Sequence, residues 1–173
     1  MRCNIALLGF MGCGKTSVGR KVAQRIGWEF HDTDALIEER VGLPIPEIFF
    51  RYGEEYFRTL ETEVLAELAT RCHLVLATGG GLPVREKNRE ILREHFFTVF
   101  LRVSFPLLFE RIRRSTNRPL LKKYRTPGEL EALYRTRIPY YESAHVIIDA
   151  DFLTEEDIAE EIIRRARDYG VLA

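Results

Sequence analysis

An α/β domain built on a parallel β-sheet is the fold class that this sequence predicts, and two observations support it. Short apolar segments recur along the chain, and several are continuous rather than alternating, as expected for strands that are covered on both faces. Stretches with helical periodicity separate these segments, and strands that alternate with helices favour a parallel sheet. The predicted strands are residues 4–8, 28–31, 74–77, 97–101 and 145–148.

The helical stretches are recognised by apolar residues spaced three and four positions apart. One such stripe contains Tyr56, Phe57, Leu60, Val64, Leu65 and Leu68. A second stripe contains Ile158, Ile162 and Ile163, and we predict Thr154 as its N-cap because acidic residues fill the first turn that follows. Residues 115–128 are rich in Arg, Lys, Thr and Pro and break the periodicity, so we predict a mobile excursion there.

The composition is that of an ordinary globular protein and favours neither a nucleic-acid nor a membrane partner. The chain has 173 residues, of which 46% are hydrophobic and 30% are charged, and this suits one domain with a single core. Lys and Arg together number 26, as do Asp and Glu, so no net charge attracts polyanions. No apolar run approaches the ~18 residues of a membrane helix, and we interpret the N-terminal segment as a first strand rather than a signal peptide.

The cysteine pattern favours a reducing compartment. The three cysteines are Cys3, Cys13 and Cys72, an odd number whose spacing fits no zinc site. We therefore expect reduced thiols and a cytoplasmic location.

The segment GFMGCGKT, residues 9–16, matches the phosphate-binding loop pattern G-x-x-x-x-G-K-[ST]. It follows an apolar strand and precedes a helical stripe, which is the context that the pattern requires. Glycines let the backbone N–H groups converge on phosphate oxygens, and the following helix presents its positive end. Lys15 supplies a charge for the β- and γ-phosphates, and the Thr16 hydroxyl suits Mg²⁺. A chance match in a glycine-rich turn is disfavoured, so we expect a nucleoside triphosphate as ligand.

Two carboxylates, Asp32 and Asp34, stand at the end of the second predicted strand. In extended conformation residues two apart point to one face, and ligands bind at the carboxyl ends of parallel strands. One carboxylate would hold a metal-bound water and the other a substrate hydroxyl. The alternative is that Asp34 is only a helix N-cap; the nearby phosphate loop makes the ligand interpretation the stronger one.

Arg58 and Glu61 are three residues apart on the first helical stripe, so they can form an ion pair. Two interpretations stay open. The pair is either an ordinary surface ion pair, or Glu61 orients Arg58 toward a substrate carboxylate.

Three consecutive glycines, Gly79 to Gly81, directly follow the third predicted strand. A flexible linker is disfavoured there because connections after strands of a parallel sheet are short and ordered. Glycines at a strand end would instead let a ligand touch the backbone. Farther along, Arg118 precedes Pro119 in the irregular segment, where it is either part of a solvated basic loop or a cation that closes over the phosphates.

Taken together, these motifs resemble those of the shikimate kinases, small P-loop kinases of aromatic amino-acid biosynthesis. The resemblance covers nearly the whole chain and lies in the order and spacing of six motifs. They are GFMGCGKTSVG, DTD at 32–34, EEYFRTLE at 54–61, TGGG at 78–81, NRPLL at 117–121 and RIPYYE at 137–142. The phosphate loop alone is shared by many proteins, whereas the conjunction is far more specific. One departure is Tyr140, where the family usually has Leu.

The resemblance implies a three-layer P-loop kinase fold with a five-stranded parallel sheet of order 2-3-1-4-5, flanked by helices and bearing a mobile lid. Residues 1–173 would form one domain, with a shikimate-binding region at about 34–61 and the lid at about 113–127. The implied reaction transfers the γ-phosphoryl group of ATP to the 3-hydroxyl of shikimate, giving shikimate 3-phosphate and ADP. The protein would act in the cytoplasm as a monomer on small molecules, with Mg²⁺ as cofactor.

The resemblance also assigns residues to roles. The implied catalytic residues are Lys15, Asp34 and Arg118. The implied ATP-binding residues are Gly12, Cys13, Gly14, Lys15, Thr16, Ser17, Arg111 and Arg118, with Arg111 packing on adenine. The implied shikimate-binding residues are Asp34, Arg58, Gly79, Gly80, Gly81 and Arg137. Thr16 would hold Mg²⁺ directly and Asp32 through water. The second adenine contact, near residues 149–152, is less clearly marked.

Two rival functions fit the same phosphate loop. One rival is another small-molecule kinase of the same fold, such as a gluconate kinase or a nucleoside monophosphate kinase. A nucleobase acceptor would call for stacking and base-edge contacts, whereas a carboxylate calls for the pair Arg58 and Arg137. A non-catalytic nucleotide-binding module would be expected to have lost Lys15, Asp34 or the arginine of the lid, and all three are present.

Overall fold

Five parallel strands form one sheet in the part of the chain that the computed structural model describes, which is residues 2–115, 123–124 and 126–173. In chain order the elements are β1 (Asn4–Leu8), α1 (Lys15–Ile26), β2 (Glu29–Asp32), α2 (Thr33–Val41), α3 (Ile45–Tyr52), α4 (Glu54–Ala69), β3 (Leu74–Ala77), α5 (Glu86–His95), β4 (Phe96–Arg102), α6 (Phe105–Arg114), α7 (Pro127–Tyr141), β5 (Val146–Asp149) and α8 (Glu155–Asp168). A short 3₁₀ turn, Leu82–Val84, lies between β3 and α5.

The order of the strands in the sheet is β2-β3-β1-β4-β5, and every pairing is parallel. Each predicted strand is present, and no strand boundary differs from its predicted position by more than one residue. The continuous apolar runs explain this agreement, because every residue of β1 and of β3 is buried. The predicted fold and strand order are therefore confirmed.

The sequence periodicity predicts all five strands but only some of the eight helices that the described residues form. The apolar stripe at 56–68 lies within α4, and the C-terminal stripe lies within α8. Thr154 caps α8 as predicted, in a reciprocal arrangement in which Asp157 N–H donates to the Thr154 hydroxyl and Thr154 N–H donates to the Asp157 carboxylate. No helix among the described residues is long and apolar enough to cross a membrane.

The cysteine prediction is wrong for two of the three residues. Cys3 and Cys72 form a disulfide, with their Cα atoms 5.1 Å apart, and only Cys13 is a free thiol. The reason is topological: Cys3 lies just before β1 and Cys72 just before β3, and these strands are neighbours paired from Ile5 with Val75 onward. An odd count of cysteines does not reveal which two of them a sheet brings together.

Three chain segments meet at the carboxyl edge of the sheet because β1, β3 and β2 are adjacent and parallel. The phosphate loop follows β1, the glycines 79–81 follow β3, and α2 begins directly after β2. The fold therefore brings together three of the predicted motifs: the phosphate loop, the glycines 79–81 and the DTD segment at 32–34.

Candidate active site

The phosphate loop, residues 9–16, joins the central strand β1 to helix α1. Its conformation depends on glycine, because Gly12 and Gly14 have φ angles of 79° and 98°, in the left-handed region that side chains disfavour. The Lys15 ammonium donates to the carbonyl oxygens of Gly9 at 2.6 Å and of Phe10 at 3.0 Å. The lysine is thus held across its own loop, with its charge beside the N-terminus of α1.

Cys13 takes part in the loop through both its thiol and its backbone, and the Lys15 ammonium donates to the Cys13 sulfur at 3.6 Å. Its side chain exposes only 2% of its surface and is turned toward Gly9, where an added methyl group would lie 2.7 Å from the Cys13 sulfur. The Cys13 N–H donates to the Phe10 carbonyl at 3.2 Å.

Asp32 connects the phosphate loop with helix α2. One carboxylate oxygen, Oδ2, accepts from the Thr16 hydroxyl at 2.9 Å. The other, Oδ1, caps α2 by accepting from the N–H groups of Asp34 at 2.9 Å and Ala35 at 3.2 Å. The cap of α2 is therefore Asp32 and not Asp34.

Asp34 lies in the first turn of α2, so the prediction of an extended pair of aspartates is wrong. Its Oδ1 is buried and has no hydrogen-bond partner among the described residues. Burial raises the pKa of Asp34 to about 7, and the charges of Asp32 and Glu61 reinforce that effect against the opposing charge of Lys15. A buried carboxyl with a free oxygen and a pKa near neutrality is suited to exchange a proton with a ligand hydroxyl.

Arg58 and Glu61 form a buried pair on α4, which excludes the surface alternative. Arg58 Nη1 donates to Glu61 Oε2 at 2.8 Å, and the two side chains expose 16% and 1% of their surface. Burial alone would lower the pKa of Arg58, but the charge and hydrogen bond of Glu61 keep it above its ordinary value. Burial raises the pKa of Glu61 against the opposing charge of Arg58. Glu61 thus holds a permanently charged guanidinium in one orientation.

Each of the three consecutive glycines faces a different side chain from another element. A methyl group added to Gly79 would lie 2.5 Å from Asp34 Oδ1, and one added to Gly80 would lie 3.3 Å from Arg137 Nη1. A methyl group on Gly81 would overlap the guanidinium of Arg58. The absence of side chains here lets two arginines and one aspartate converge on a short stretch of backbone.

The polar contacts of this turn fix it to the neighbouring elements. Gly79 N–H donates to the Thr33 hydroxyl of α2 at 2.8 Å, and the Thr78 hydroxyl donates to the Leu7 carbonyl of β1 at 2.9 Å. The Tyr141 hydroxyl of α7 donates to the Gly80 carbonyl at 2.6 Å. The turn is therefore a rigid part of the site and not a flexible connection.

The whole chain matches known proteins of one family. A model of the shikimate kinase family matches residues 11–167. The shikimate kinase of Moorella thermoacetica is 46% identical over 159 residues, covering 92% of this chain and 91% of the relative. That of Thermodesulfovibrio yellowstonii is 42% identical over 161 residues, covering 93% of each chain. The solved structure of a shikimate kinase from Acinetobacter baumannii in complex with shikimate superposes with a TM-score of 0.90 at 42% identity, covering 98% of this chain and 95% of that one.

The chain belongs to the shikimate kinase family.

Membership of the shikimate kinases confirms the resemblance drawn from the six motifs. It also favours a kinase over the non-catalytic module, and a shikimate kinase over the gluconate and nucleoside monophosphate kinases of related fold. The predicted residues of the acceptor side, Asp34, Arg58, Arg137 and the glycines 79–81, are brought together in this family member.

On the nucleotide side of this shikimate kinase, α6 reaches the phosphate loop. Arg111 Nη1 donates to the Gly12 carbonyl at 3.2 Å, so its guanidinium lies beside the loop, and its contact with adenine stays a prediction. Ser17 is exposed at the start of α1. In the loop after β5, Asp151 accepts from the Ser104 N–H at 2.8 Å and Phe152 is 99% exposed. Arg118 lies outside the described residues.

Two residues of this shikimate kinase site were not among the predicted site residues. Glu61 was recognised as a partner of Arg58, but the sequence did not reveal its burial. Tyr141 stands in the RIPYYE motif, and the sequence gives it no role in the site. The sequence signal for Glu61 is its position four residues after Phe57 and four before Leu65, on the side of the apolar stripe. The role of Tyr141 needs the three-dimensional contact with Gly80.

Proposed function

We propose that this chain transfers the γ-phosphoryl group of ATP to the 3-hydroxyl of shikimate, giving shikimate 3-phosphate and ADP for chorismate and aromatic amino-acid synthesis. The observation that carries the proposal is the convergence of Asp34, Arg58 and Arg137 on the three glycines after β3, next to a phosphate loop. This set combines two cations for a carboxylate with one carboxyl for a hydroxyl. Family membership and the shikimate-bound relative support the choice of acceptor.

The donor side is the phosphate loop with Lys15. In the structure the Lys15 ammonium donates to the carbonyls of Gly9 and Phe10. In the proposed complex it donates to β- and γ-phosphate oxygens instead. Gly12, Cys13 and Gly14 offer backbone N–H groups, and Thr16 and Ser17 begin the helix whose positive end faces the phosphates. Arg111 would cover the adenine.

The residues present fit a magnesium ion held jointly with the nucleotide. The hydroxyl of Thr16 and the carboxylate of Asp32 are hard oxygen donors 2.9 Å apart. No cluster of three or more His, Cys, Asp or Glu side chains suited to a metal occurs in residues 2–115, 123–124 and 126–173. Two side-chain oxygens match the preference of Mg²⁺ for few protein ligands and several water and phosphate oxygens. Bound Mg²⁺ would neutralise charge on the phosphates; Thr16 would hold it directly and Asp32 through water.

The acceptor side places shikimate between two arginines. Arg58, oriented by Glu61, and Arg137 on α7 would clamp the carboxylate of the substrate, since guanidinium groups bind carboxylates through paired hydrogen bonds. The backbone of residues 79–81 has no side chains that would exclude the ring of the substrate. An anionic acceptor can approach an anionic nucleotide in this site because cations flank it on both sides.

The proton of the attacking hydroxyl passes to Asp34. The hydroxyl oxygen forms a bond to the γ-phosphorus as the bond from that phosphorus to the bridging oxygen breaks, and ADP leaves. Asp34 Oδ1 is buried and has no partner among the described residues, so it can accept a hydrogen bond from the hydroxyl and then its proton. Its pKa of about 7 suits this exchange.

We further propose a domain organisation, a role for Arg118 and a cellular setting for this chain. Residues 1–173 form one domain with a shikimate-binding region at about 34–61 and a lid at about 113–127. Arg118 lies outside the described residues; the role that we propose for it is to stabilise charge on the transferred phosphoryl group, so Arg118→Ala should lower kcat more than either KM. A monomer in the cytoplasm is expected. The Cys3–Cys72 bond removes the reduced-thiol reason for that location, and family membership is the support that stays.

The proposed function is tested by comparing acceptors in one coupled assay of ADP release. Purified protein with ATP and Mg²⁺ is offered shikimate, gluconate or nucleoside monophosphates at equal concentrations. We expect ADP release with shikimate and only background hydrolysis with the others. Turnover of gluconate or a nucleotide in preference to shikimate would overturn the assignment of the acceptor, and release with none would favour a non-catalytic module.

A further inference from the structure

Tyr141, the last residue of α7, is the most deeply buried polar aromatic residue beside the candidate acceptor site. Its side chain exposes 0% of its surface, and its ring packs on Phe100 of β4 with a centroid distance of 5.2 Å. Its hydroxyl donates to the Gly80 carbonyl at 2.6 Å. The Tyr141 hydroxyl has one hydrogen to donate, and the Gly80 carbonyl accepts it. This buried hydrogen bond fixes the glycine turn relative to α7.

Arg137 lies one helical turn before Tyr141 and faces the same glycine. A methyl group added to Gly80 would lie 3.3 Å from Arg137 Nη1 and 3.6 Å from the Tyr141 hydroxyl oxygen. The two polar groups therefore border one side of Gly80 together. Burial raises the pKa of the Tyr141 phenol, so it stays a neutral donor beside the guanidinium.

A second contact links the same end of α7, through Arg89, to the 3₁₀ turn that follows the glycines. The Arg89 side chain of α5 lies over the ring of Tyr140, with 5.0 Å between the guanidinium carbon and the ring centroid. Arg89 Nη1 also donates to the carbonyls of Pro83 at 2.9 Å and Val84 at 2.6 Å in the 3₁₀ turn that follows the glycines. Tyr141 is the inner of these two attachments and the one that reaches the acceptor residues.

The position of the glycine turn decides where the acceptor side chains stand relative to one another. Asp34 and Arg58 lie against Gly79 and Gly81, on either side of the residue that Tyr141 holds. A displacement of the turn from α7 would therefore change the separation of Arg137 from both of them. A carboxylate clamp tolerates little change of this kind, because two guanidinium groups must meet one planar group.

We propose that Tyr141 is a positioning residue that sets the separation of Arg137 from Arg58 and Asp34 by tying the Gly80 carbonyl to the end of α7. The inference rests on the proposed function, since it names shikimate as the ligand whose binding the hydrogen bond from Tyr141 to Gly80 controls. Tyr141 acts through Gly80 and Arg137 and does not contact the reacting atoms. Its effect therefore falls on shikimate binding and not on ATP.

The test compares Tyr141→Phe with Tyr134→Phe. Tyr134 lies on the same helix, and its hydroxyl donates to the Val103 carbonyl at 2.9 Å, so the control removes the same kind of hydrogen bond away from the glycine turn. We expect Tyr141→Phe to raise the KM for shikimate on the order of tenfold, the effect of one lost hydrogen bond, with the KM for ATP changed less than about twofold. Tyr134→Phe should leave the shikimate KM unchanged even where it lowers the melting temperature as much.

A double-mutant cycle separates positioning from general loosening of the fold. If Tyr141 acts by positioning Arg137, then Tyr141→Phe should add almost nothing to the shikimate KM of Arg137→Ala. A folded Tyr141→Phe with wild-type shikimate KM, or one that raises both substrate KM values equally, overturns the proposal. So does a full additive effect in the Arg137→Ala background.

A second variant keeps the test available if Tyr141→Phe does not fold. Gly80→Ala keeps the phenol but puts a methyl group 3.3 Å from Arg137 Nη1 and 3.6 Å from the Tyr141 hydroxyl oxygen, so it presses on both groups. It should raise the shikimate KM selectively, and an unchanged value overturns the proposal. Failure of the wild-type protein to turn over shikimate would instead refute the proposed function, so the two failures are distinguishable.

Discussion

The guanidinium of Arg58 occupies the space in which a side chain on Gly81 would lie. Gly81 has φ −95° and ψ −6°, a conformation that alanine adopts readily. The glycine is therefore required by the neighbouring arginine and not by the backbone angle. The same reasoning applies to Gly79, where the neighbouring group is Asp34.

Gly81→Ala should displace Arg58 and raise the KM for shikimate by at least about tenfold, whereas the KM for ATP should change less than about twofold. Gly128→Ala is the matched control, because among the described residues a methyl group there would meet only the Thr126 hydroxyl, at 3.8 Å. Steady-state kinetics with each substrate varied in turn measure both effects. Equal shikimate KM values in the two variants would show that the glycine does not make room for Arg58.

Arg58→Ala should raise the KM for shikimate about 10- to 100-fold, since hydrogen bonds between charged groups contribute about 1.5–3 kcal/mol. It should also destabilise the fold, because it leaves the carboxylate of Glu61 buried without its partner. The combined variant Arg58→Ala with Glu61→Gln should recover part of the stability but none of the shikimate affinity. Thermal unfolding and steady-state kinetics of the wild type, the single variant and the combined variant separate the effect on stability from the effect on shikimate binding. Equal effects on the KM values of both substrates would argue against the carboxylate clamp.

Breaking the Cys3–Cys72 disulfide should destabilise the protein. The bond joins residues separated by 69 positions, and a loop of that length stabilises a fold by about 4 kcal/mol through the entropy of the unfolded chain. We expect a reductant to lower the melting temperature by about 10 °C. The double variant Cys3→Ser with Cys72→Ser should melt at the lowered temperature with or without reductant. A wild-type melting temperature that does not respond to reductant would show that the bond does not stabilise the fold.

His145 should make stability depend on pH. Its Nδ1 accepts from the Thr98 N–H at 3.0 Å, an arrangement that needs an unprotonated nitrogen. Burial lowers the pKa of His145, and the charges of Arg2 and Arg93 lower it further. The unfolded chain therefore binds the proton more readily, so this stabilisation is present above a pH of about 6.5 and is lost as the pH falls toward the lower folded value.

The measurement is the melting temperature of the wild type and of His145→Asn between pH 5 and 7.5. Asn retains an oxygen that can accept from Thr98 but does not titrate. We expect the melting temperature of the wild type to fall more steeply with decreasing pH than that of the variant. Parallel curves would show that His145 does not contribute to the pH dependence.

Sequence patterns predicted the sheet well because buried parallel strands are continuous apolar runs, as β1 and β3 show. The phosphate loop was predicted because its chemistry is local to eight consecutive residues. The predicted extended pairing of Asp34 with Asp32 is wrong because α2 already starts at Thr33, the residue between them.

Contacts between distant segments were the part that sequence did not predict. The disulfide depends on the adjacency of β1 and β3, and the tie from Tyr141 to Gly80 joins residues 61 positions apart. The burial of Glu61 follows from packing of α4 against the glycine turn, which no local periodicity specifies. Distances of this kind are set by the tertiary fold.

The central claim is that Asp34 orients the attacking hydroxyl of shikimate and accepts its proton. The turnover of Asp34→Asn tests this claim most directly. Asparagine keeps the size of the side chain but cannot accept the proton, so we predict a fall in kcat of about 10²- to 10⁴-fold. Binding of ATP, measured separately by titration, should be retained. Near wild-type turnover together with unchanged shikimate affinity would contradict both the orienting and the proton-accepting role of Asp34.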